Sequence, residues 1–129
     1  MGTFKSFEEI EAWQKARQLT RGIYKLSAGG SFSRDFAMKD QIRRASVSIM
    51  SNIAEGFDRG GSKEFIQFLS IAKGSAAEVK SQLYVALDQH YLDESVFKEL
   101  YSIGDETRRI IHGLTRYLKV SKFKGIKYK

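Results

Sequence analysis

Apolar residues recur at spacings of three and four along most of this chain, the period of an amphipathic helix and not of a strand. The first stripe is Ala12, Ala16, Leu19, Ile23 and Leu26. It follows Ser6-Phe7-Glu8-Glu9, where Ser6 can cap a helix and Glu9 can reach back to complete a capping box. It closes at Ala28-Gly29-Gly30, where glycine supplies a stop. The second segment, from about Arg34 to Glu55, carries Met38, Ile42, Ala45, Ile49 and Ile53, with Gly56 as its expected C-terminal stop. The third starts after Gly60-Gly61 with Ser62 as N-cap candidate. Its stripe, Phe65, Leu69, Ala72, Ala76, Val79, Leu83 and Ala86, keeps a strict four–three rhythm. The fourth begins near Asp93 and carries Leu100, Ile103, Thr107, Ile110, Leu114 and Tyr117, widened by Ile111 and Leu118.

A seven-residue rhythm favours nearly aligned helix axes. Connections of roughly three to eight residues suit antiparallel neighbours. The pattern therefore predicts an all-α, up-down-up-down antiparallel four-helix bundle over residues 1–120. A basic tail over 121–129 follows, flexible or docked on a neighbour, in which lysines alternate with Phe123, Ile126 and Tyr128.

Composition narrows the picture. The chain has no proline, so nothing in it forces a helix to break. It has no cysteine, which excludes disulfides and thiolate metal sites and fits a reducing, cytoplasmic setting. No apolar run approaches a membrane span, and residues Met1 to Lys5 lack the apolar stretch of a secretory signal. Met1-Gly2 followed by Ser6 loosely resembles a myristoylation signal, which the plain helical pattern outweighs. The net charge of +7 is unevenly placed. Arg108, Arg109, Arg116, Lys119, Lys122, Lys124, Lys127 and Lys129 supply eight basic residues after Thr107 with no acidic one, leaving 14 basic and 15 acidic residues elsewhere. A basic end is either a polyanion footprint or a solvated helix terminus that favours cations. On the fourth helix, Arg108, His112, Thr115, Lys119 and Lys122 fall along one face.

The second helix carries a further stripe of Gln41, Arg44, Ser48, Ser51 and Glu55, flanked by Asn52. Serines and amides in heptad positions point to close packing against another helix, either within the subunit or between subunits. The third helix offers Ala72, Gly74, Ser75, Ala76 and Ala77 as small partners, with Glu78 placed to pair with Arg43 or Arg44. Core packing accounts for most aromatics, such as Phe65 and Tyr117; Tyr24, Phe57, Phe123 and Tyr128 are the candidates for base stacking.

Catalytic chemistry finds no foothold. His90 and His112 stand outside Glu-x-x-His and His-Glu-x-x-His, so di-iron and zincin patterns are missing and no metal or cofactor is expected. Residues 56–63 are glycine-rich and lead into a helix N-terminus, with Arg59 and Lys63 nearby. A phosphate could sit there, but a loop that needs glycine to turn explains the segment better.

The run Gln41-Ile42-Arg43-Arg44-Ala45-Ser46-Val47-Ser48-Ile49, continuing Ser51-Asn52-Ile53-Ala54-Glu55-Gly56-Phe57 and Arg59, resembles the central signature of the bacterial 23S rRNA intervening-sequence proteins, also called four helix bundle proteins. Trp13-Gln14-Lys15-Ala16, Ile23-Tyr24, Phe65, Phe68-Leu69, Ile71-Ala72, Gly74-Ser75 and Glu78 extend the likeness across residues 4–118. The resemblance implies a bundle that assembles as a homopentameric barrel. Some members are encoded within large-subunit rRNA insertions, and a related branch serves the reverse transcriptase of diversity-generating retroelements and binds nucleic acid. The chain departs from the family at Met50, where proline is frequent, and at Asp58, where glycine is frequent. The basic tail lies beyond the likeness.

Two functions follow as expectations. One is a non-enzymatic, oligomeric nucleic-acid-binding accessory protein, contacting RNA or DNA through the eight C-terminal basic residues. The other is a homo-oligomeric scaffold for a protein partner, with Gln41, Arg44, Ser48, Ser51, Asn52, Glu55 and Glu78 as packing or subunit contacts.

Overall fold

The computed structural model describes residues 4–123, without the side chains of Lys122 and Phe123. A 3-10 turn, Phe7–Glu9, leads into α1, Glu11–Ser27. A second 3-10 turn, Phe32–Arg34, precedes α2, Phe36–Asp58. Helices α3, Ser62–Asp88, and α4, Glu94–Phe123, complete the order, and no strand occurs among the described residues.

Cross-helix contacts show that every neighbouring pair runs antiparallel. Between α1 and α2, Thr20 Oγ1 reaches Ser46 O while the later Ser27 meets the earlier Arg43. Between α2 and α3, Ser48 pairs with Ser75, whereas Gly56 lies against Phe65 and Phe68. Lys80 meets Asp105 and Lys73 meets His112 between α3 and α4. Helix α1 closes the ring, with Gly22 on Leu100 and Lys15 paired to Glu106. The structure is thus a four-helix bundle in which each helix packs on its two neighbours in sequence order.

The core is the predicted set of stripes. Ala12, Ala16, Leu19 and Ile23, then Ile42, Ala45, Ile49 and Ile53, and all seven α3 positions are buried. Buried hydroxyls donate to carbonyls of their own helix (Ser27 to Ile23 O, Ser46 to Arg43 O and Thr107 to Ile103 O), so these donors need no partner helix. On α4 the apolar face turns differently from the expectation. Ile111 and Leu118 are fully buried, but Tyr117 is 45% exposed, so Tyr117 is not a core residue. Ser121 is buried on the same face as Leu118, and α4 continues to Phe123, three residues into the segment expected as tail. Residues 1–3, and with them the Met1-Gly2 signal, lie outside the described residues, as do Lys124, Ile126, Lys127, Tyr128 and Lys129.

The helix ends correct several expectations. Ser6 makes no side-chain cap, and Glu9 Oε1 accepts instead from Lys5 N at 3.1 Å, so the expected capping box is replaced by a 3-10 turn. The cap of α2 is Asp35, which accepts from Met38 N at 3.1 Å. Gly56 is inside α2 and not its stop; it gives room for the close approach of Phe68. The turn between α2 and α3 falls at Gly60, with φ of 83°, a conformation that favours glycine. Gly61, not Ser62, is the N-cap of α3. Asp93 caps α4 as predicted, accepting from Val96 N at 2.9 Å. At the end of α3, His90 has φ of 62°, and Tyr91 N bonds to Ala86 O while His90 N bonds to Leu87 O. That is a Schellman motif with histidine where glycine is usual.

Candidate functional site

Two surfaces stand out, a cationic flank where α3 meets α4 and a polar seam where α2 meets α3. The flank begins at Asp105. Its carboxylate accepts from Lys80 Nζ at 2.8 Å and pairs with Arg108 at 3.7 Å and Arg109 at 3.2 Å. The Lys80 hydrogen bond, helped by the charges of all three cations against the opposing effect of burial, holds the Asp105 carboxyl below its usual range. One anion thus serves three cations, and Arg108 and Arg109 have structural work to do.

About two turns further along α4 the charge is uncompensated. Lys73, from α3, places Nζ 3.0 Å from His112 Nδ1. Arg116 and Lys119 lie on the same side of α4, exposed, and among the described residues no carboxylate pairs with Lys73, Arg116 or Lys119. Lys73 above all, then burial, Arg116, Arg108 and Lys119, push the His112 imidazolium toward its neutral form. That depression reports a concentrated positive potential. Of the eight predicted basic residues, the structure places Arg108, Arg109, Arg116 and Lys119 along α4. The side chain of Lys122 and all of Lys124, Lys127 and Lys129 lie outside the described residues. Lys73 was missed in the sequence because it belongs to another helix. Its one available signal was the seven-residue spacing to Lys80 on the flank of the α3 apolar stripe.

The polar seam divides. Ser48 Oγ lies 2.9 Å from Ser75 Oγ, and Asn52 Nδ2 donates to Ser48 O at 2.8 Å and Ser48 Oγ at 3.0 Å. These three form a network inside the subunit. Gln41, Arg44, Ser51, Glu55 and Glu78 are exposed. The expected pairing of Arg43 or Arg44 with Glu78 does not form. Arg44 binds Asp40 one turn back at 2.8 Å. Arg43 projects to the opposite side of α2, donating to Ser27 Oγ at 2.8 Å and stacking its guanidinium 4.3 Å over Tyr24. Glu78 accepts from Gln82 instead, at 3.3 Å. Gln82 Oε1 is buried without a partner.

The remaining candidates resolve simply. Phe57 is buried, so it offers no face for base stacking, and the Phe123 side chain and Tyr128 fall outside the described residues. Tyr24 is half-exposed under Arg43. In the glycine-rich loop, Arg59 is taken by Glu55 at 2.8 Å, and the Glu64 carboxylate sits over Gly61 at the α3 N-terminus, where a phosphate would meet like charge. Among the described residues no cluster of His, Asp or Glu could hold a metal, and no helix is long and apolar enough to cross a membrane.

These features define a four-helix bundle protein with an internal polar seam and a cationic flank. Within that class, the profile of the 23S rRNA-intervening sequence proteins matches residues 8–113, and the chain belongs to this family. The match includes Lys73, Arg108, Arg109 and His112 and stops before Arg116. Among solved structures, a protein of unknown function from the S23 ribosomal protein family of Bacteroides thetaiotaomicron superposes with a TM-score of 0.73 at 22% identity, covering 81% of this chain and 97% of its own. That likeness establishes the shared fold. No curated protein matches the sequence.

Proposed function

We propose that this protein is a non-enzymatic, oligomeric accessory protein that binds nucleic acid along the α3–α4 flank and the basic segment that follows. The observation that carries this reading is the uncompensated set Lys73, His112, Arg116 and Lys119, gathered from two helices. Packed helices hold these groups in a row without neutralising carboxylates, which suits a repeating phosphate backbone rather than one small anion. Contacts of this kind carry little sequence information, and a cysteine-free chain with such a partner fits the cytoplasm.

Fluorescence anisotropy with single-stranded RNA, structured RNA and duplex DNA tests it. Affinity should fall log-linearly with salt, at roughly 0.7–0.9 per phosphate neutralised. Reversing Arg116, Lys119 and the four later lysines to glutamate should abolish binding while the circular dichroism spectrum and melting temperature persist. Affinity that survives the reversal would sink the proposal.

A second reading has its own observation. Ile71 is 53% exposed on α3 beside the open surface of Gly74, and Val47 is exposed across the seam on α2. Exposed apolar and small residues bordered by Arg44, Glu55 and Glu78 suit packing by a second copy, and the family resemblance implies a pentamer. On this reading the protein is a homo-oligomeric scaffold for a protein partner, and it predicts a stable oligomer without salt-sensitive nucleic-acid affinity.

A further inference from the structure

Lys73 and His112 are an unusual pair. An ammonium has no lone pair to accept with, so the 3.0 Å contact requires Lys73 to donate to an unprotonated Nδ1, leaving the His112 proton on Nε2. Once Nδ1 is protonated both groups are donors and both are cationic. Among the described residues no carboxylate nearby offsets that. On α4 the neighbours are Arg108, Arg116 and Lys119. Helix α3 contributes Lys73, and Lys80 is already bound to Asp105, which it shares with Arg108 and Arg109. Helix α1 packs on another flank of α4, where Lys15 pairs with Glu106. Among the described residues the site therefore holds two potential donors, three further cations and no carboxylate partner for His112 or Lys73. An anion is what would complete it.

We propose that Lys73 and His112 form a proton-coupled site for one phosphodiester of a nucleic-acid strand, with Arg116 and Lys119 contacting successive phosphates further along α4. The strand's phosphate oxygen replaces Nδ1 as the acceptor for Lys73, and Nδ1 takes one proton from solvent and donates to a second oxygen. No bond is made or broken, and each bound phosphate brings one proton with it. The proposal rests on the nucleic-acid reading above, and it adds a pH dependence that generic phosphate contacts do not have.

The sign follows from linkage. In the unliganded protein Lys73 and its neighbours hold His112 below its ordinary value of 6.5, and a bound phosphate raises it. Proton uptake occurs between those two values, so affinity rises as pH falls through that window, by at most about tenfold per pH unit for one linked proton. Between about pH 8 and about pH 6 the expected gain is roughly three- to tenfold.

The test uses the full chain with a single-stranded oligouridylate, titrated by anisotropy at low salt across this pH range. NMR follows the imidazole resonances of both histidines. The wild type should bind more tightly at the lower pH, and RNA should raise the His112 titration midpoint. His112→Gln should remove the pH dependence yet keep salt-sensitive binding at the higher pH, and His90→Gln should behave as wild type. An unchanged pH dependence in His112→Gln overturns the proposal and leaves the nucleic-acid reading standing. Loss of all RNA and DNA binding in the wild type overturns that reading instead. A parallel titration with inorganic phosphate separates the sources: a His112 shift with phosphate but none with RNA would assign the site to a small anion and overturn the strand as its ligand.

Discussion

Gly56 and His90 show how one residue's backbone or missing side chain shapes a helix junction. A Cβ at Gly56 would lie 2.6 Å from Phe68 Cβ and 3.0 Å from Phe65 Cδ1. The first neighbour is fixed to its backbone, so α2 and α3 would have to separate. Gly56→Ala should destabilise the fold by about 1–2 kcal/mol despite alanine's better helix propensity. Gly22→Ala meets only the mobile end of Leu100 at 2.5 Å, and urea denaturation should find it much less harmful. His90 has the opposite problem, a side chain at a φ of 62°. His90→Gly should raise stability by about 1 kcal/mol in the same assay, and a loss there would mean that the imidazole makes up for its strained backbone. In the sequence Gly56 reads only as a helix stop, because the closeness of Phe68 is a property of two packed helices.

At the scale of elements, the ends of the helices are tied to each other. Asp35 caps α2 and also accepts from Tyr91 Oη at 2.7 Å, and Tyr91 stacks on Phe32 with centroids 4.8 Å apart. The α3–α4 connection is thereby fastened to the start of α2. The Tyr91 hydroxyl first, then the Met38 amide, lowers the Asp35 carboxyl below its ordinary value of 3.8, against a smaller effect of burial. A depressed carboxylate stabilises the fold above its unfolded value, and that contribution is lost as pH falls through the folded one. Tyr91→Phe should therefore lower the melting temperature near neutral pH, and the gap to wild type should narrow under acid below 3.8. Thermal melts over that range check it; a gap that stays constant would show that the tyrosine acts through packing alone. Asp35 has no amphipathic signature, since its partner lies 56 residues away. Capping by Asp93, which depends on residues three apart, was readable directly.

At the scale of the whole molecule, the open question is what covers the outer face of α2 and α3. Ile71 and Val47 are exposed there, and a Cβ at Gly74 would meet open space. If copies of the chain pack on this face, Ile71→Glu should shift the sedimentation coefficient to that of a monomer and leave the helical content unchanged. An oligomer of unchanged size would place the contact elsewhere. The same variant bears on nucleic-acid binding, because a monomer presents one cationic flank where an assembly presents several, and avidity falls with their number.

The amphipathic rhythm determined four helices, their order and nearly all of the core, because burial of an apolar stripe is a local property with a period of 3.6 residues. It also marked α4 as cationic, since charge can be counted. What it could not supply was anything that depends on how one helix rolls against another. Tyr117 and Leu118 are adjacent and both apolar, yet one is exposed and the other buried. Arg43 and Arg44 are adjacent and both cationic, yet Arg43 folds onto α1 and Arg44 stays on its own helix. Lys73 meets His112 across 39 positions. A helix face is written in the sequence, but its rotation about the axis is set by close packing of all four helices at once, and only the tertiary structure decides which charges meet.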